Sequence, residues 1–222
     1  MNKTIEEKLD SGRQYRAFAI SADNLETRDD EGNEAMIVKG HATIFNTPYL
    51  LADYGDVKIY EQVDARAFDE TDMSDVIMQY DHKGRVFART GNNTLTLEPD
   101  GHGLRIRADL GGTEIGRQLF EEIEGGYTDK MSFGFRVGAD KKEETEEKNE
   151  ETGVRTYTVL RTITKISKLY DVSAVSLPAN DATSISARNY CERVIAEIEK
   201  EFLAREQRER QKHKIKILTE VL

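Results

Sequence analysis

Apolar and polar residues alternate singly along much of the chain, the period of a strand that buries one face. The pattern is clear in Gln14-Tyr15-Arg16-Ala17-Phe18-Ala19-Ile20 and returns over Ala35–Phe45, where Gly40 suggests a bulge or a close backbone approach before Asn46-Thr47-Pro48 ends the run. Val57–Val63 reads as a further strand, followed by a short helical turn with Asp64 as its cap. Val76–Tyr80 is a short apolar run that stops on Asp81-His82-Lys83-Gly84. Arg85–Thr90, Thr94–Glu98 and Leu104–Leu110, separated by Gly91-Asn92-Asn93 and by Pro99–Gly103, predict a three-stranded meander.

The period then lengthens. Over Thr113–Glu124 the residues Ile115, Leu119, Phe120 and Ile123 share one helical face, Thr113 offers an N-cap, and Gly125-Gly126 stops the helix. Strand character resumes around Met131–Phe135, at Val154–Lys165 and at Leu169–Leu177, which closes on Pro178-Ala179-Asn180. The intervening Ala139–Gly153 is dense in Glu and Lys and predicts a solvated, flexible loop. From about Ser186, Tyr190, Val194, Ile198 and Phe202 recur every four residues, predicting a helix that runs into the charged stretch Ala204–Lys216 and an apolar end at Ile217–Leu222. The class is α+β, mainly β. Its parts are a flexible segment 1–13, one domain over 14–186 with an acidic flexible loop at 139–153, and a C-terminal helical tail at 187–222.

Composition narrows the function classes. Hydrophobic residues at 37% and charged residues at 33% describe one modest core with wet extensions. No run of about 18 apolar residues is present, and Met1–Lys8 lacks the apolar stretch of a signal peptide, so a cytosolic protein away from membranes is expected. The single cysteine, Cys191, excludes an internal disulfide, and with four scattered histidines it gives no zinc-ligand spacing. A net charge of −10 argues against nucleic-acid binding by phosphate neutralisation.

The candidate chemistry gathers on Ser132, set in the apolar, glycine-punctuated run Asp129–Phe135 where a mere solvent hydroxyl is out of place. A serine nucleophile needs a base within hydrogen-bond reach, oriented in turn by a third group. His82 ends an apolar strand, the position from which a rigid scaffold presents a functional side chain; the plain alternative is a surface turn histidine. His102, between glycines, reads as a turn residue and His213 as part of a solvated tail, while His41, inside a strand, is the rival to His82. Asp171 interrupts the apolar run Leu169–Leu177 and is costly there unless paired. It could orient a histidine through the second ring nitrogen, or pair with Arg or Lys. No Gly-x-Ser-x-Gly elbow, Walker loop, His-Glu-x-x-His or dinucleotide fingerprint occurs.

The order of a Gly-His-Ala-x-x-Phe strand, a strand ending on Asp81-His82, a hairpin with Gly103-Leu104, a helix, Met131-Ser132-Phe133-Gly134-Phe135 and Leu169–Ala179 resembles the HK97-type bacteriophage prohead (procapsid maturation) proteases over about residues 14–188. The resemblance implies a small β-barrel surrounded by helices, similar to the herpesvirus assembly proteases, packaged in the immature capsid in the host cytoplasm. It implies a serine endopeptidase that cleaves scaffolding segments from the major capsid protein and usually cuts itself, with no metal or organic cofactor and with self-association as a dimer. Ser132 matches the family nucleophile and His82 the family histidine, which there stands in an Asn-His-Asp setting; here Asp81 and Lys83 flank it and the following loop is one residue shorter. Asp171 matches a position where the family more often has glutamate, one methylene longer. The herpesvirus relatives use a second histidine as third member, which keeps His41 as the alternative to Asp171. The C-terminal helix and its basic stretch would hold the enzyme to scaffold or capsid subunits.

Two other readings stand beside this one. The same barrel could be a non-catalytic capsid-assembly module with Ser132 as a packed structural hydroxyl. A metal-dependent hydrolase built on Asp81 and His82 is the third, although one adjacent pair falls short of the three or four ligands a metal site needs.

Overall fold

The computed structural model describes residues 13–19, 25–28, 34–176 and 185–220. Segment 1–12 and the Leu177–Asn180 close of the last strand lie outside the described residues. The elements in chain order are β1 (Arg13–Ala19), β2 (Leu25–Arg28), β3 (Glu34–Ile44), β4 (Tyr49–Asp53), β5 (Val57–Val63), β6 (Ile77–Tyr80) and β7 (Lys83–Arg89), then β8 (Leu95–Pro99), β9 (Gly103–Asp109), α1 (Glu114–Glu124), β10 (Lys130–Lys148), β11 (Arg155–Val175) and α2 (Ile185–Glu220).

The larger sheet is built around β11. On one side β11 pairs antiparallel with β10, which in turn pairs with β1. On its other side it takes two short parallel partners in succession, β5 along Tyr157–Ile163 and β6 along Asp171–Ala174. β4 extends the sheet beyond β5, and β7 extends it beyond β6. The chain between β5 and β6 stays on the spine through turns: Asp64 N–H donates to Ile163 O, Ile166 N–H to Ala67 O and Leu169 N–H to Asp72 O. A second sheet has the order β2-β3-β9-β8. Among the described residues two helices accompany a large sheet that curls into a half-barrel, in place of a barrel ringed by helices. No helix among those residues is long and apolar enough to cross a membrane.

Three further expectations change. The acidic run after Ala139 is strand, not loop, because it extends the β10–β11 hairpin from Asp140↔Ile163 to Lys148↔Arg155. Ladder pairing overrides the weak strand propensity of Glu and Lys, and ion pairs to α2, Lys142 with Glu197 and Arg205 with Glu146, hold one side of the arm. The three-stranded meander is really two hairpins in different sheets: β7 pairs with β6, β8 pairs with β9, and a 3₁₀ turn at Thr90–Asn92 carries the chain between sheets. Gly40 has no close neighbour; the irregularity in β3 falls between His41 and Ile44.

α1 forms as the 3.6-residue period predicts, with Thr113 Oγ1 accepting the Gly116 N–H at 3.1 Å and Leu119, Phe120 and Ile123 buried. These join the larger core with Met131, Phe133 and Phe135 of β10 and Leu169, Val172 and Ala174 of β11. A smaller core forms where Ala187, Tyr190, Cys191 and Val194 of α2 cover Leu51, Ile59 and Val159.

A layer of charge lies between the two cores. Along β5 the inward positions read Ile59, Glu61, Val63, and along β11 they read Val159, Arg161, Ile163, so Glu61 and Arg161 separate the small core from the large one. Arg16 of β1 donates to Glu61 from Nε at 2.5 Å and Nη2 at 3.0 Å, Arg161 Nη1 donates at 2.8 Å, and the Tyr49 hydroxyl donates to the same carboxylate. Burial alone would raise the Glu61 carboxyl; the Arg16 and Arg161 guanidiniums outweigh it and hold it below the usual range. A carboxylate with four such donors is the satisfied form in which a buried charge survives.

Candidate active site

The pleat of β10 divides its residues cleanly. Met131, Phe133 and Phe135 enter the larger core, with the Phe133 and Phe135 rings stacked 4.5 Å apart, so Ser132 and Gly134 face the other way. Across the ladder Ser132 stands opposite Ser173 and Gly134 opposite Asp171, which puts Asp171 and Ser173 on that same outer face. β1 adds Tyr15 opposite Gly134.

His82 arrives from the β6–β7 turn. Tyr80 and Lys83 are paired, so Asp81 and His82 form a two-residue loop, and both have positive φ, 48° and 56°. That is the type I′ geometry that matches strand twist but usually selects Asn-Gly. The turn is pinned to the end of β11: Asp81 N–H donates to Ala174 O at 2.9 Å, and the Asp81 carboxylate accepts from the Ser176 N–H and hydroxyl, each at 3.0 Å.

Thus placed, the His82 ring bridges two groups. Nε2 lies 2.7 Å from Ser132 Oγ, and Nδ1 is hydrogen-bonded to Asp171 Oδ2. The Tyr15 ring packs on the imidazole at 4.2 Å between centroids. Ser173 Oγ donates to the same Asp171 oxygen at 2.9 Å. The other oxygen, Oδ1, has no hydrogen bond within the described protein, and its nearest cation is Arg13 Nη2 at 3.9 Å. Ser132 and Asp171 are each only 1% exposed.

The structure therefore brings Ser132, His82 and Asp171 into one hydrogen-bonded row and leaves His41 elsewhere. In the second sheet His41 Nε2 lies 2.9 Å from Asp100 Oδ2, with its ring edge-on to His102. Asp81 and His82 turn to different partners, the Ser176 end of β11 and the Ser132–Asp171 pair, and do not converge as metal ligands. Ser173, Gly134 and Tyr15 were not singled out from the sequence. The signal for Ser173 was its spacing of two from Asp171, which in a strand means the same face.

A family model described as caudovirus prohead serine protease matches residues 23–200. The solved structure of the bacteriophage T4 capsid assembly protease is similar at a TM-score of 0.45 and 10% identity, covering 75% of this chain and 98% of that one. No curated protein matches the sequence.

Proposed function

The chain belongs to the caudovirus prohead serine protease family, and on that footing we propose that it is a serine endopeptidase that cleaves scaffolding segments from the major capsid protein, and cuts itself, inside the immature capsid. Ser132 attacks the scissile carbonyl while His82 Nε2 takes its proton. His82 then gives that proton to the leaving amine, and water releases the acyl-enzyme by the same route in reverse. Asp171 holds the imidazole with its proton on Nδ1 and stabilises the imidazolium as it forms. The observation that supports this most directly is the row Asp171–His82–Ser132, with 2.7 Å between His82 Nε2 and the serine oxygen. Hydroxyl, base and orienting carboxylate are in the relation nucleophilic catalysis needs.

Co-expression with the major capsid protein tests the reading. Wild type shortens the capsid protein and Ser132→Ala leaves it whole, as read by intact mass. Processing that persists without the Ser132 hydroxyl removes the triad. Light scattering across concentration reads the dimer that the family resemblance implies.

One observation favours the second reading, a non-catalytic assembly module: Ser132 is almost fully covered, so a substrate carbonyl reaches its hydroxyl only after neighbouring groups move. Covalent labelling of wild type by a fluorophosphonate separates the two readings, since a sealed structural serine does not react.

A further inference from the structure

Asp171 is held through one of its two oxygens. Oδ2 accepts from Ser173 and meets His82 Nδ1, while Oδ1, in a residue only 1% exposed, has no hydrogen bond within the described protein. A buried carboxylate oxygen without a donor is costly, and each such atom in a folded protein calls for a physical reason. It also bears on the chemistry, because the terminal torsion of a carboxylate is broad and nearly two-fold. With both hydrogen-bond donors on Oδ2, a group that fixes the plane of the carboxylate has to act on the other oxygen.

β1 and β11 together supply such a group. Arg13 and Tyr15 are two apart on β1 and stand opposite Arg136 and Gly134 of β10, so both lie on the sheet face that carries Ser132. β11 contributes through a bulge. Its pairing passes from Gly134↔Asp171 to Phe135↔Leu169, which leaves Tyr170 as an extra residue. Leu169 and Val172 enter the larger core, and the half-buried Tyr170 turns outward beside Asp171. The Arg13 guanidinium lies 4.1 Å from the centre of the Tyr170 ring, a cation on an aromatic face. Its Nη1 donates to the Tyr15 hydroxyl at 3.3 Å, and its Nη2 stands 3.9 Å from Asp171 Oδ1. At that separation the contact acts through charge, not as a direct hydrogen bond. One guanidinium thus touches both supports of the imidazole, the Tyr15 ring that packs on it and the Asp171 carboxylate that orients it.

We propose that Arg13 is a positioning residue of the triad, its charge holding the Oδ1 side of Asp171 so that Oδ2 stays aimed at His82. The assignment rests on the serine-protease reading and adds a fourth side chain to the row. Arg13 acts through Asp171 and Tyr15. Its side chain is 32% exposed and belongs to neither hydrophobic core, so substituting it leaves both cores untouched.

The test compares four full-length proteins. They are wild type, Arg13→Gln, which removes the charge, Arg13→Lys, which keeps it, and Arg136→Gln, which removes another cation near the Tyr170 ring, 5.7 Å from its centre. Each is labelled by a fluorophosphonate over a series of concentrations. The limiting rate reads the reactivity of Ser132, and the half-saturating concentration reads binding of the probe. In Arg13→Gln the limiting rate should fall about fivefold or more with half-saturation unchanged, and in Arg13→Lys it should return to within about twofold of wild type. Arg136→Gln should label like wild type. Thermal unfolding of the same samples should give Arg13→Gln and Arg13→Lys equal midpoints, which separates positioning from loss of fold. An Arg13→Gln protein as fast as wild type, an Arg13→Lys protein as slow as Arg13→Gln, a loss confined to half-saturation, or an equal loss in Arg136→Gln overturns the assignment. No labelling of wild type overturns the protease reading, and the role of Arg13 with it.

Discussion

Gly134 faces Asp171 directly across the β10–β11 ladder, and the carboxylate occupies the space where a side chain at position 134 would begin. A Cβ built on Gly134 would stand 2.3 Å from Asp171 Oδ1 and 2.9 Å from the Tyr15 ring. Neither neighbour can withdraw freely: Asp171 is held by His82 and Ser173, and Tyr15 lies against the His82 ring. Gly134→Ala therefore displaces the acid that orients the histidine. The expected cost is about 1–3 kcal/mol of stability, as for other overpacked sites, and a fall in kcat larger than any change in KM. Urea unfolding with steady-state kinetics on one preparation checks both; a Gly134→Ala enzyme of undiminished kcat would refute this placement of the carboxylate.

Ser173 acts through Asp171. Its hydroxyl shares Oδ2 with His82 Nδ1, and a hydrogen bond to a charged group contributes about 1.5–3 kcal/mol. Ser173→Ala should lower kcat roughly tenfold by that scale. Ser173→Thr keeps the hydroxyl and should restore kcat, with KM little changed in either variant. A Ser173→Thr enzyme as slow as Ser173→Ala would assign Ser173 to packing alone.

The Asp81-His82 turn invites a conservative change. A non-glycine residue at positive φ is strained, and asparagine tolerates that region well. Asp81→Asn keeps an acceptor for the Ser176 N–H and gives the position the asparagine found in the resembling family. Its expected effect is a gain of a few tenths of a kcal/mol, the scale of turn-residue optimisation, with activity within about twofold. Thermal unfolding and the rate of capsid-protein processing measure the two separately.

The charge layer between the cores governs acid stability. The folded Glu61 carboxyl titrates below its unfolded value, so its contribution is present above the unfolded pKa and is lost as pH falls through the depressed folded one. Urea midpoints should therefore drop steeply below about pH 4.5, near the ordinary glutamate value. Glu61→Gln removes the buried counter-charge that Arg16 and Arg161 share, while Arg161 keeps Asp140, a cost of about 3–5 kcal/mol at neutral pH, and flattens that acid slope. An unchanged slope in the variant would place the acid sensitivity elsewhere.

Much of this was legible in the residues. Single alternation marks β5 because it buries one face, and α1 announces itself by its stripe and its Thr113 cap; in β1 the buried positions are instead Gln14 and Arg16, and β3 buries both faces, as at Ile37 and Val38. Ser132, His82 and Asp171 could be named because each is chemically out of place, a hydroxyl and a carboxylate within apolar strands and a histidine where a strand stops. Their convergence could not be read, since it depends on β6 pairing in parallel with β11 across a long sequence separation. The arm beyond Ala139 was hidden for a related reason: its composition is that of a loop, and only the ladder with β11 makes it strand. Glu61 left a trace that went unread, a carboxylate at an inward position of an otherwise alternating strand, which already calls for a buried partner.

The β10–β11 hairpin has one further consequence. Its ladder runs from Lys130↔Val175 to Lys148↔Arg155, interrupted by register shifts between Gly134 and Asp140. A slip of two residues would preserve the alternation of faces, and so most of the burial, yet set Lys130 or Gly134 across from Ser173 and take Ser132 out of reach of His82. Such a molecule would pass as folded by its backbone spectrum. The nucleophile is thus a built-in gauge of pairing accuracy: the fraction of a preparation that an acylating reagent titrates counts the molecules whose longest hairpin closed in register, an audit no bulk measure of foldedness performs.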